Sequence, residues 1–146
     1  LRTLCPPSRP SEARAANVEA MGMPTKTVRP RSDRTELKVI VDFYDFMRYL
    51  VERIEKFPRH HRYSLGIAME NRLQEMLGLL IRAKYASEKV ATLDEVNVQL
   101  DVLRFQLRLA KDLKALPVKS HGHATKLMLD IGGQIGGWRR HQGRVA

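Results

Sequence analysis

Apolar residues in this chain recur every three or four positions, and no stretch alternates with a period of two. That spacing matches the turn of an α-helix and excludes half-buried strands, so the expected fold class is all-α. From Thr35 onward the pattern is broken at three places, which divides it into four segments. The first, from about Glu36 to Phe57, repeats Leu37, Val41, Tyr44, Met47, Val51 and Ile54. It stops at "FPRHH", where Pro58 disfavours a helical conformation for the residue before it. The second runs from about Arg62 to Lys89, with Leu65, Met69, Leu73, Met76, Leu80 and Ala83 on one stripe. Thr92 and Glu95 in "TLDE" have capping-box spacing and mark the start of the third, which ends near Leu116 ahead of Pro117. Ser120 is the candidate N-cap of the fourth, which extends to about Gln142. Helices of roughly 20 to 28 residues are about 30 to 40 Å long, and short connections set each antiparallel to the last. The expected architecture is an up-down-up-down four-helix bundle over residues 35–146.

The third segment carries more apolar surface than a bundle needs. Leu93, Val96, Leu100, Leu103, Leu107 and Ala110 share one stripe that can face the core. Val98, Val102, Phe105 and Leu109 form a second stripe on nearly the opposite side. One buried face suffices for a bundle helix, so the second stripe is the expected subunit interface of a homo-oligomer. Arg104, Arg108 and Lys111 lie between the two stripes as a basic strip. Asp101 and Asp112 are spaced to pair with this strip, but exposed helical pairs contribute only a few tenths of a kcal/mol and leave it open to phosphate.

The fourth segment contains "IGGQIGGW", and each glycine costs roughly 1 kcal/mol relative to alanine inside a helix. Gly132 and Gly136 are four apart, as are Gly133 and Gly137, so each pair stacks on one side. Such bare ridges admit a neighbouring backbone, with Ile131, Ile135 and Trp138 filling around them; the expected role is close helix packing.

Residues 1–34 read as a flexible basic arm, broken by Pro6, Pro7, Pro10, Pro24 and Pro30. Met21 and Met23 are candidate starts, so residues 1–20 are read as a possible reading-frame extension and given no role. Arg29, Arg31 and Arg34 suit a phosphate backbone. Lys and Arg number 26 against 16 Asp and Glu, a net charge of +10 that favours polyanionic partners, nucleic acid first. No apolar run reaches membrane-spanning length and no signal-peptide core is present, so a cytoplasmic protein without membrane contact is expected.

Catalytic signatures are missing. The chain has one cysteine, Cys5, and neither a phosphate-binding loop of Walker type nor a nucleophile elbow. His60, His61, His121 and His123 sit at helix boundaries without ligand spacing, so no metal and no cofactor are expected. Glu70, Glu75, Asp94, Glu95 and Asp101 read as helix-surface residues in ion-pair spacing, and an enzyme is not expected.

"LRFQLRLA" (Leu103 to Ala110), the pattern Gly132-x-x-x-Gly136-x-Trp138 and "FPRHH" resemble the accessory variability determinant proteins of diversity-generating retroelements. The resemblance spans about residues 36–142. It implies a basic four-helix bundle that assembles as a homopentameric barrel and is not catalytic. It also implies binding to the element's reverse transcriptase and to RNA or DNA, in support of mutagenic cDNA synthesis and retrohoming. Arg104, Arg108 and Lys111 follow the matching segment as candidate contacts; Arg59, Arg62, Arg139 and Arg140 join them on charge and clustering alone. The N-terminal arm has no counterpart in the family pattern and inherits no role. A bundle of the ribosomal-RNA intervening-sequence type shares the expected fold, and a helical scaffold without nucleic acid is the third reading.

Overall fold

The computed structural model describes residues 31–145, so the proposed arm up to Pro30, including Arg29, lies outside the described residues. Four helices follow one another, and no strand occurs among the described residues. Helix α1 is Arg31–Ile54, starting a few residues before the expected boundary. Helix α2 is continuous from Arg59–His61 through a π-helical turn, Arg62–Gly66, into Ile67–Tyr85. Helix α3 is Val90–Asp112 and α4 is Val118–Val145. Helices α1 and α3 each pack on both α2 and α4, which puts them at diagonal corners of a four-helix bundle.

The expected core stripes of α2 and α3 are buried, from Met69 to Ala83 and from Leu93 to Ala110; Leu65 is only half-buried. On α1 the apolar repeat read from the sequence is not the core face, apart from Ile54. Val39, Phe43, Phe46, Leu50 and Ile54 fill the core, whereas Leu37, Val41 and Tyr44 are exposed and Met47 and Val51 half-buried. Two apolar sets interleave on α1 at helical spacing. The set carrying two phenylalanines, whose ring centroids lie 6.1 Å apart, removes more apolar area from water and faces inward. Helix α4 contributes Ala124, Met128, Ile131, Ile135 and Trp138.

Two expected caps are also corrected. Thr92 lies inside the first turn of α3, whose N-cap is Lys89, and Glu95 accepts a hydrogen bond from Gln99 Nε2 at 3.0 Å. The α2–α3 connection is instead tied by Lys89 Nζ, which donates to the Lys84 carbonyl at 2.9 Å and pairs with buried Glu36 at 3.4 Å. Ser120 likewise sits within α4, and the Pro117 carbonyl accepts the His121 N–H at 2.9 Å. At the α1–α2 turn, a Cβ on Gly66 would approach Ile54 Cγ2 to 2.8 Å, so only glycine lets the start of α2 press against the end of α1.

Candidate functional site

Three surface features distinguish this bundle. The first is apolar. Val98, Val102, Phe105 and Leu109 stand on the outer side of α3, with Phe105 66% exposed, and Leu113 extends the row. Helix α1 carries a second exposed row, Leu37, Val41 and Tyr44. Asp42 accepts a hydrogen bond from Gln134 of α4 at 2.8 Å, which marks the α4-facing flank of α1; the exposed row lies on the other flank, toward α2. There it adjoins the outer face of α2, where Tyr63, Ile67, Ile81 and Tyr85 are exposed. The α3 row and the α1 row therefore occupy diagonal corners. Sequence reasoning set the first apart as an outer face and read the second only as a helical repeat.

The second feature is the distribution of cations. The seven candidate basic residues do not form one patch. Arg104 pairs with Asp101 at 2.8 Å, on the flank of α3 beside Leu129, Gly132 and Gly133 of α4. Arg108, one turn on, is exposed and has no carboxylate partner among the described residues. Arg139 is held by Asp94, whose carboxyl that hydrogen bond keeps below its usual range. Arg140 lies near the C-terminal end of α4 with its guanidinium over Gly136 and Gly137. Arg59 and Arg62 start α2, at the end of the bundle where α3 finishes with Lys111.

That end holds the third feature, a cavity of about 530 Å³ where the α1–α2 and α3–α4 connections meet. Arg53, Lys56, Lys111 and Lys114 line it together with Pro58, Pro117 and Val118. Only Lys111 of these cations was legible in the sequence, because the cavity joins residues from two distant connections. Nearby His121 has its imidazole pushed below the ordinary value, first by burial and then by the charge of Lys111. By contrast, a smaller cavity of about 330 Å³ between α1 and α4 is lined by Asp42, Asp45 and Asp130 with Tyr49 and His123. Hydrogen bonds from Lys38 and Gln134 hold the Asp42 carboxyl low. No group of three potential metal ligands occurs among the described residues.

The four glycines fall into different surroundings within the protomer. A Cβ on Gly132 would lie 3.4 Å from Leu100 Cδ2, and Trp138 is buried, so these two do face the bundle. Gly133 faces open space, and Gly136 and Gly137 have only the guanidinium of Arg140 nearby, at 3.5 and 3.9 Å. The ridge is therefore not a close contact inside the protomer.

Residues 38–142, from the first helix to the last, match the model of the bAvd-like family. The chain belongs to the bAvd-like family. No curated protein and no solved structure shows significant similarity to it. The bAvd-like match covers every segment that carried the sequence resemblance, and it favours an accessory protein of the Avd kind over the intervening-sequence type. The family is a non-catalytic one. No helix of this bAvd-like protein is long and apolar enough, among the described residues, to cross a membrane.

Proposed function

We propose that this bAvd-like protein assembles into a homopentameric ring, and that the ring binds the reverse transcriptase and template RNA or cDNA of a diversity-generating retroelement. It acts in the cytoplasm as a non-catalytic accessory in mutagenic cDNA synthesis and retrohoming. The observation that carries this reading is the pair of exposed apolar rows on diagonal helices of a family member. Two different faces on opposite corners suit a head-to-tail contact, and head-to-tail contacts close into rings when the rotation per subunit allows. A two-fold dimer would need one self-complementary face and would leave the other row in water.

The net charge of +10 supports the polyanionic half of the reading. Arg108 is available to phosphate, and Arg104 has only an exposed ion pair to give up. The decisive experiment is light scattering with the 260/280 nm absorbance ratio followed across the peak, then a pull-down with the polymerase. Support is a mass near five times the 16.8 kDa of one chain, with nucleic acid stripped by high salt and the polymerase retained. A clean monomer that retains neither refutes the proposal.

A further inference from the structure

The cavity at the loop end has a composition that the ring and its polymerase do not explain. Four cationic side chains, Arg53, Lys56, Lys111 and Lys114, line it, and no carboxylate does. None of the four has an ion-pair partner among the described residues. Like charges converging on one hollow repel each other, and low-dielectric walls strengthen that repulsion until an anion enters.

Two further observations bear on how the cations are held. Arg53 Nε is buried and donates to nothing among the described residues, while its guanidinium carbon lies 4.7 Å from the Tyr49 ring centroid. Packing on that ring fixes the guanidinium, which lowers the ordering cost of an anion that binds it. Lys114 adopts φ 62°, the left-handed conformation. It occupies the glycine position of a Schellman turn: its own N–H donates to the Lys111 carbonyl at 2.9 Å, and the Ala115 N–H donates to the Ala110 carbonyl at 2.9 Å. Glycine would relax the turn, so this chain carries a lysine against backbone preference in the lining of a cationic hollow.

We propose that this cavity binds a multiply charged terminal phosphate, a monoester or oligophosphate carried on a nucleoside. Four positive charges exceed what one backbone diester neutralises, and a terminal phosphate brings two or more negative charges. The cavity volume of about 530 Å³ leaves room for a sugar against Pro58, Pro117 and Val118. Two sources share this chemistry, the 5′ end of a nucleic-acid strand and a free nucleoside triphosphate. The first rests on the nucleic-acid reading above; the second does not.

The test is fluorescence anisotropy of one labelled RNA oligonucleotide carrying a 5′-triphosphate, a 5′-monophosphate or a 5′-hydroxyl, with ATP as competitor. The phosphorylated ends are expected to bind at least fivefold more tightly than the hydroxyl end. Lys114→Gly is expected to lose most of that difference while its melting temperature stays level or rises, because the turn relaxes. Lys56→Ala is expected to lose it with little change in melting. If ATP binds directly to the unlabelled protein while no oligonucleotide does, the site stands and the nucleic-acid reading falls. Equal affinity for all three ends, with no binding of ATP, overturns the site and leaves strand binding intact. So does Lys114→Gly with an unchanged preference for phosphorylated ends.

Discussion

Phe105→Asp should dissolve the proposed ring and leave the protomer folded. Phe105 is 66% exposed in the isolated chain, so little of it contributes to the bundle core. Of the roughly 200 Å² a phenylalanine side chain can bury, about 130 Å² is free for a neighbouring subunit. At about 25 cal/mol per Å² that area is worth about 3 kcal/mol in each contact, a weakening of roughly a hundredfold when it is lost. The aspartate adds the cost of desolvating a charge opposite an apolar row. Every contact of a closed ring carries the same change, so the assembly has no unaffected seam. Within the protomer an exposed substitution shifts stability by about 0.5 kcal/mol, so helical circular dichroism and the melting of the isolated chain should barely move. Light scattering at matched concentrations reads the outcome directly. A variant with native helicity and the mass of the parent assembly would show that the α3 row is not a subunit contact, and the head-to-tail argument would fail with it.

Gly66→Ala should destabilise the bundle by about 1 to 3 kcal/mol in chemical denaturation, because the new Cβ would stand 2.8 Å from a methyl of buried Ile54. Unchanged stability would mean that the π-helical turn gives way without strain. His121 takes up its proton less readily in the folded protein than the ordinary value of 6.5. Stability should therefore hold above that pH and fall as pH drops through the lower folded-state value, with a slope that His121→Gln removes. An identical pH profile in the variant would assign the slope to other groups. Gly133→Ala should raise the thermal stability of the isolated protomer by up to about 1 kcal/mol, since open space surrounds the site. A lower melting point would reveal a packed neighbour in the protomer.

How much was legible depended on how isolated each signal was. The core stripes of α2 and α3 stood out because polar residues separate them from the rest of each helix, and burial follows them residue by residue from Met69 to Ala110. On α1 the set Leu37, Val41, Tyr44 and the set Val39, Phe43, Phe46 satisfy the same periodicity, so spacing alone could not choose between them. The choice is made by three-dimensional filling. The Thr92–Glu95 motif was a local preference overridden by a tertiary one, the tether from Lys89 to Glu36 and to the Lys84 carbonyl. The outer row of α3 was readable since it repeats every three or four residues along one helix. The loop-end cavity was not, because Arg53 and Lys56 belong to one connection and Lys111 and Lys114 to another. Nor does sequence alone show that Lys114 adopts a left-handed conformation.

The glycines of α4 bear on what the surface is for. The four clustered glycines, Gly132, Gly133, Gly136 and Gly137, weaken α4 by about 4 kcal/mol relative to alanine, and helix propensity gives nothing back. Inside the protomer only Gly132 answers for its cost, by seating Leu100. Gly133 lies beside Leu129, with Asp101 and Arg104 of α3 lining the same shallow cavity, and Arg140 reaches over Gly136 and Gly137. A bare helix backbone flanked by arginines lets a bulky anionic or helical partner come close while the guanidiniums close around it. Alanine at Gly133 would strengthen the helix and fill that approach, so a partner that uses it should bind less well to a more stable protein. Loss of binding and gain of stability in the same variant cannot arise from damage to the fold. Gain of stability with assembly, RNA binding and polymerase binding all unchanged would leave the glycines without a part in the proposed function.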